Sequence, residues 1–110
     1  MDLTKRRCVP CEGGVLPLSD EEEEKFIKEV DGWELIREEG KPHRIKKRFK
    51  FKDFKEAIRF VNKVAEIAEQ EGHHPDIHIF YNVVEVELWT HAIKGLHEND
   101  FILAAKIDKL

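Results

Sequence analysis

Four of the six histidines in this 110-residue chain lie between residues 73 and 91. Histidine both accepts and donates a proton near neutral pH, because its ordinary pKa is about 6.5. His73 and His74 are adjacent and are followed by Pro75, and His91 comes at the end of a later apolar segment. These residue types predict general acid–base catalysis at a site formed by His73, His74 and His91.

Two carboxylates are spaced to support the imidazoles. Glu69 lies four residues before His73, and Asp100 lies nine residues after His91. A carboxylate that accepts a hydrogen bond from one ring nitrogen fixes the tautomer and the orientation of a histidine. We therefore expect Glu69 to hold His73. We expect Asp100, in the first turn of the last helix, to orient one ring or balance its charge.

The adjacent histidines follow the end of a predicted helix. Asp53 and Glu56 form a capping box at its start, Gly72 can end it, and Pro75 prevents its continuation. A residue in this corner is fixed by the helix on one side and by an extended segment on the other. The apolar residues of the helix fall on one broad face, namely Ala57, Ile58, Val61, Val64, Ala65 and Ala68.

His91 is predicted at the end of the second strand of an antiparallel pair. Residues 77 to 81 form the first strand, and one side of the second is lined by Val84, Val86, Leu88 and Thr90. The end of the second strand returns to the start of the first, beside Pro75. His91 should therefore approach the adjacent pair of histidines.

The rest of the chain predicts an α+β fold. A capping box at Ser19 and Glu22 begins a first helix, residues 33 to 51 alternate as a hairpin does, and a last helix starts near Glu98. The order is helix, two strands, helix, two strands, helix. This order predicts a four-stranded antiparallel sheet covered on one face by helices.

Residues 1-17 are predicted to be a flexible N-terminal tail ahead of a single domain, residues 18-110. The tail contains Cys8 and Cys11, the two cysteines of the chain. One Cys-x-x-Cys pair is half of a structural zinc site, so we expect free thiols. Zinc bound by the three imidazoles is an alternative that a metal assay would decide.

The composition indicates a soluble, cytoplasmic protein. Charged residues make up 38% of the chain and hydrophobic residues 41%, and no apolar segment is long enough for a membrane span. The net charge is −4 and there is no dense basic stripe, so nucleic acid is not the expected partner. Abundant Glu and Lys are typical of thermostable proteins. An uncovered sheet face with free edges favours a homodimer or homotetramer.

Other residues that could contact a ligand are assigned structural positions. Trp33 and Trp89 are expected in the core and on the sheet face rather than as ligand platforms. His78 is expected to be an exposed strand residue, and His43 and His97 to be surface or capping residues.

The histidines and carboxylates also belong to a longer pattern. The chain resembles the pterin-4a-carbinolamine dehydratase family in the spacing of Glu69, His73-His74-Pro75, Tyr81, His91 and Asp100. Three more segments extend the likeness over roughly residues 8 to 108: Gly32-Trp33-Glu34-Leu35, Phe49-Lys50-Phe51-Lys52-Asp53-Phe54 and Asn99-Asp100-Phe101. A long spaced pattern is a specific signal, whereas His-His-Pro alone would be weak.

The resemblance implies dehydration of a 4a-hydroxytetrahydropterin to quinonoid dihydropterin and water, a hydro-lyase reaction in tetrahydrobiopterin recycling. It implies no metal and no cofactor, because the pterin is the substrate. His73 and His91 would form the acid–base pair, with His74 holding the pterin and sharing in proton transfer. It further implies supporting roles for Glu69 and Asp100, and substrate contacts from His74, Pro75, Tyr81 and Thr90.

The resemblance also brings an alternative function. Some relatives act as a dimerisation cofactor for a transcription factor or, in degenerate forms, as an assembly chaperone of a carboxylase. The degenerate forms tend to lose the histidines, whereas this chain keeps His73, His74 and His91. One departure concerns the last helix: the family usually has a Ser or Thr cap at position 97, so His97 predicts a less firm helix start.

Overall fold

Three helices and one antiparallel sheet make up the fold in the computed structural model, which describes residues 2–10 and 14–110. The helices are α1 (Asp20–Ile27), α2 (Phe54–Glu71) and α3 (Glu98–Ile107), and the strands are β1 (Glu34–Ile36), β2 (Arg44–Lys50), β3 (Asp76–Phe80) and β4 (Val83–Leu88). The strand order is β1-β2-β4-β3, with every neighbouring pair antiparallel. The predicted α+β fold is confirmed.

The long helix α2 ends where the sequence predicts. The side chain of Asp53 accepts a hydrogen bond from the Glu56 N–H at its start. Gly72 ends it in the left-handed conformation, with φ of 65°, which glycine adopts without a steric penalty. The buried stripe consists of Ala57, Phe60, Val64 and Ala68. It differs from the predicted face because Ala65 is exposed, Ile58 and Val61 are only partly buried, and Phe60 is buried.

The sheet packs one face on the core and presents charge on the other. Ile45, Val84, Val86 and Leu88 are fully buried. The alternate residues of β4 are acidic and face basic residues across the strands. Arg48 lies opposite Glu85, for example, and its Nε donates to Glu85 Oε2 at 2.8 Å.

Helix α3 is the most deeply buried helix, and it starts with a firm cap. His97 Nδ1 accepts a hydrogen bond from the Asn99 N–H, and Asp100 Oδ2 accepts one from the His97 N–H, both at 3.0 Å. The expected weak start of this helix was therefore wrong. The imidazole nitrogen supplies the acceptor that Ser or Thr would otherwise offer.

The start of the chain differs from the free tail expected over residues 1-17. Leu3 is 2% exposed and belongs to the core, and a short 3₁₀ turn over Leu3–Lys5 packs on α3. Arg6 forms an ion pair with Glu98 at the start of α3. Residues 2–10 are thus held by apolar burial and charge pairing. Cys8 is a free thiol, and Cys11 lies outside the described residues.

Candidate active site

His73 lies in the corner between α2 and β3 and is held by a buried carboxylate. The left-handed Gly72 turns the chain, and the His73 N–H still donates to the Ala68 carbonyl at 3.2 Å. The imidazole Nε2 lies 2.5 Å from Asp100 Oδ1. The Asp100 side chain is fully buried, and that of His73 is 11% exposed. The pair therefore joins the end of α2 to the first turn of α3.

The second oxygen of Asp100 is also occupied. Oδ2 accepts from the Thr90 hydroxyl at 2.9 Å and from the His97 N–H at 3.0 Å. A buried carboxylate is stable when such donors satisfy it. In the tautomer that donates from Nε2 of His73 to this carboxylate, Nδ1 is the ring nitrogen left as an acceptor.

His74 is held by the other predicted carboxylate. Its Nε2 pairs with Glu69 Oε2 on the last turn of α2, and both side chains are mostly exposed. The expectation that Glu69 holds His73 was therefore wrong. After the left-handed turn at Gly72, the His74 ring lies against the last turn of α2, at Glu69. The His73 ring instead contacts Asp100 at the start of α3.

His91 follows the sheet rather than ending a strand. Strand β4 stops at Leu88, and a bridge between Thr90 and Gly95 closes a short loop in which His91–Ile93 form a 3₁₀ turn. The imidazole of His91 stacks on the Trp89 ring, with ring centroids 3.8 Å apart and planes 27° apart.

Trp89 is itself held in place. Its Nε1–H donates to Asp76 Oδ2 at 3.1 Å, which ties it to the start of β3. From the sequence we placed Trp89 on the sheet face, and its stacking against the His91 ring was not predicted. The alternating pattern that placed Trp89 in a strand carries no signal for this contact, because the partner of its ring, His91, lies in the following loop.

A cavity of about 260 Å³ opens beside these side chains. It is lined by Val9, Gly72, His73, His74, Trp89, Thr90, His91, Ala92 and Asn99. The three predicted histidines and Thr90 thus meet at one cavity. This volume is just below the usual range for pockets of drug-sized ligands, which starts at about 300 Å³, and suits a compact molecule such as a bicyclic ring.

Two of the residues expected to contact substrate do not line this cavity. Pro75 shapes the chain between His74 and β3. Tyr81 is 67% exposed in the β3–β4 turn. Five strand residues at roughly 3.3 Å each separate that turn from the histidine corner. Within one chain Tyr81 therefore does not reach this cavity, and its contact with substrate stays a prediction.

The sequence matches the family model described as Pterin 4 alpha carbinolamine dehydratase over residues 16–110. The chain belongs to this family. Proteins provisionally named pterin-4-alpha-carbinolamine dehydratase are similar along its whole length. That of Halorhodospira halophila is 50% identical over 110 residues, covering 100% of this chain and 98% of the relative. That of Rubrobacter xylanophilus is 45% identical, covering 99% and 98%.

Two solved structures of dehydratase relatives share the fold. The transcriptional coactivator/pterin dehydratase from Brucella melitensis has a TM-score of 0.76 at 35% identity, covering 84% of this chain and 96% of that one. A pterin dehydratase-like protein identified as a RuBisCO assembly factor in the alpha-carboxysome has a TM-score of 0.59 at 26% identity, covering 71% and 87%. The dehydratase fold therefore occurs in proteins described by different activities.

Clusters of possible metal ligands occur elsewhere in this dehydratase-family chain. Over residues 2–10 and 14–110, groups of three ligand atoms within 4.8 Å of one another are Asp20, Glu23 and His43, and His78, Glu85 and Glu87. The cavity histidines do not form such a group in the part of the chain that is described. No helix within those same residues has both the length and the apolar character needed to cross a membrane.

The thiol of Cys8 lies next to the site, and its surroundings make it a poor nucleophile. Burial, and then the negative charge of Glu71, raise the pKa of Cys8 to about 12. Burial would also raise the pKa of Glu71, but hydrogen bonds from the Lys106 ammonium and the Cys8 N–H leave it below its ordinary value. Glu71 is thus an anion beside the thiol, and Cys8 stays protonated at neutral pH.

We expect Cys8 to resist alkylation. In a Cys11→Ser variant, iodoacetamide at pH 8 should modify the folded protein about a hundred- to a thousandfold more slowly than the unfolded protein, because the thiolate is the nucleophile. The comparison is made by mass spectrometry with and without guanidinium chloride. Equal rates in the two states would show that the thiol is neither buried nor beside an anion.

Proposed function

We propose that the chain dehydrates a 4a-hydroxytetrahydropterin to quinonoid dihydropterin and water, as a hydro-lyase of pterin cofactor recycling. The observation that carries the proposal is the Asp100–His73 pair, which borders a cavity shared with His74 and His91. A buried carboxylate that holds an imidazole beside a cavity is the usual support of a general base.

The reaction needs one base and one acid. The base removes the proton from ring nitrogen N5, and the electron pair left behind forms the C4a=N5 double bond. The C4a–O bond breaks, and the acid protonates the departing oxygen, which leaves as water. One proton is taken and one is given, so the step requires no oxidant or reductant.

We assign the base to His73 and the acid to His91. Asp100 holds Nε2–H of His73, so Nδ1 accepts the proton and the adjacent carboxylate balances the charge that develops. His91 stacks on Trp89, which fixes its ring beside the cavity. His91 is exposed, so solvent can return its proton after each turnover.

We assign pterin binding mainly to His74 and Thr90, with His74 also sharing in proton transfer. His74 lies at the rim, where Glu69 orients its ring through Nε2. Thr90 lines the cavity and donates its hydroxyl proton to Asp100, so it also fixes the carboxylate. Thr90 is not needed for the bond rearrangement itself.

We also propose that the protein is a cytoplasmic homodimer or homotetramer. Strand β3 lies at a sheet edge, and the exposed apolar side chains of Ile79, Phe80 and Tyr81 lie at or near its end. An edge strand with exposed apolar residues favours pairing with a second chain. The free thiol of Cys8 suits a reducing compartment.

The alternative is a non-catalytic binding module. It is favoured by the similarity to a protein described as a coactivator and to one described as an assembly factor. Such a module has no need of a satisfied carboxylate–histidine pair at a cavity. Retention of this pair therefore favours the enzyme.

Stopped-flow dehydration of a synthetic 4a-hydroxytetrahydropterin tests the proposal. The wild-type protein should accelerate the reaction in proportion to its concentration. A His78→Ala variant should do the same, because that imidazole lies on the charged face of the sheet, away from the cavity. Equal rates with and without protein would leave the binding module as the better assignment.

A further inference from the structure

The chain segment at Cys8 and Val9 forms part of the cavity wall. Val9 lines the cavity and is 56% exposed. The sequence placed this residue in a free tail. Its position instead depends on contacts with residues more than sixty positions away in sequence.

A buried side chain holds Val9 by both backbone groups. Asn99 Oδ1 accepts from the Val9 N–H at 3.0 Å, and Asn99 Nδ2 donates to the Val9 carbonyl at 2.7 Å. Asn99 is 2% exposed, so its amide forms these bonds away from most water. One side chain thus fixes the segment much as a neighbouring strand would.

A second anchor lies one residue earlier. The Cys8 N–H donates to Glu71 Oε1 at 2.8 Å, and Glu71 Oε2 accepts from Lys106 Nζ at 2.7 Å. Glu71 stands two residues before His73, and Asn99 directly precedes Asp100. The residues that anchor the segment therefore adjoin the two residues that form the carboxylate–histidine pair.

We propose that Val9 contacts the bound pterin as a wall of the site and that Asn99 is the positioning residue that keeps Val9 there. The inference rests on the proposed function, because it takes the ligand to be a flat bicyclic heterocycle. The isopropyl group supplies apolar contact to such a ring, beside the aromatic surface of Trp89 and His91. Because the segment at Val9 is already fixed in the free protein, ligand binding there loses less conformational entropy.

The first test removes the apolar contact. Val9→Ala should raise the Kd for a stable 7,8-dihydropterin, measured by fluorescence titration, and the KM for the carbinolamine by about three- to tenfold. The kcat should stay within about twofold, because the acid and the base are untouched. Val15→Ala is the matched control, since Val15 is similarly exposed at 48% and does not line the cavity.

The second test removes the anchor. Asn99→Ala should raise Kd and KM by about tenfold. Adding Val9→Ala to it should weaken binding little further, because the released segment no longer presents the valine. Asn82→Ala is the matched control, since the Asn82 amide also donates to a backbone carbonyl, that of Phe51, at the other end of the hairpin.

The outcomes separate the inference from the proposed function. If the wild type is active and Val9→Ala binds the dihydropterin as tightly as Val15→Ala does, the inference is overturned and the function stands. If the Val9 and Asn99 effects are fully additive, Asn99 does not act through Val9, and that part is overturned. A wild type that neither binds nor dehydrates pterins overturns both.

Discussion

Asp100→Asn is expected to lower kcat by about a hundred- to a thousandfold and to change KM little. The His97 N–H is a fixed backbone donor to Oδ2, so the amide oxygen must take that position. The NH₂ group then faces Nε2 of His73 and donates to it. His73 is forced to carry its proton on Nδ1, the nitrogen that should accept one.

A matched control separates this effect from loss of the helix cap. Glu22 has the same capping position at the start of α1 that Asp100 has in α3, but over residues 2–10 and 14–110 its hydrogen bonds are with Ser19 and not with a histidine. Glu22→Gln should therefore leave stopped-flow kcat unchanged, and circular dichroism should show that both variants are folded. An Asp100→Asn protein that keeps wild-type kcat would contradict the assignment of His73 as the supported base.

His91→Ala should lower kcat by about a hundred- to a thousandfold, because the departing oxygen loses its proton donor. His73→Ala should have a loss of similar size. The acid and the base act in one step, so the double variant should be little slower than either single variant. Stopped-flow rates of the three variants and of His78→Ala, which keeps all cavity histidines, measure this.

A different pattern of kinetic losses would assign different roles to His73 and His91. If the losses from His73→Ala and His91→Ala multiply in the double variant, the two residues contribute independently and are not a coupled acid–base pair. If His91→Ala keeps wild-type kcat and raises only KM, His91 binds the pterin and another group is the acid. Binding of a stable 7,8-dihydropterin by each variant distinguishes lost chemistry from a lost site.

The histidine corner could be predicted because its signals are local. Gly72 at a helix end and Pro75 three residues later dictate a turn that places both His73 and His74 outside the helix. The alternation in β4 likewise predicted which of its residues face the core. These patterns need no knowledge of distant contacts.

The support of the site could not be predicted in the same way. Glu69 and Asp100 were both identified, but their assignment to particular rings depends on where the left-handed Gly72 directs the chain. The two hydrogen bonds between Asn99 and Val9 join residues 90 apart in sequence, and the linear sequence carries no pattern for such a contact.

The position of His91 after β4 could not be predicted for a related reason. The bridge from Thr90 to Gly95 ends the strand early and moves His91 into a 3₁₀ turn beside Trp89. Tyr81 was grouped with the histidines by resemblance, although the length of β3 separates it from them within one chain.

A crystal structure of the protein with a stable 7,8-dihydropterin tests the central claim most directly. We predict that the bicyclic ring occupies the cavity, with N5 and C4a within hydrogen-bonding reach of His73 and His91, and with His73 still bound to Asp100. A ring bound at another surface, for example on the charged face of the sheet, would contradict the account.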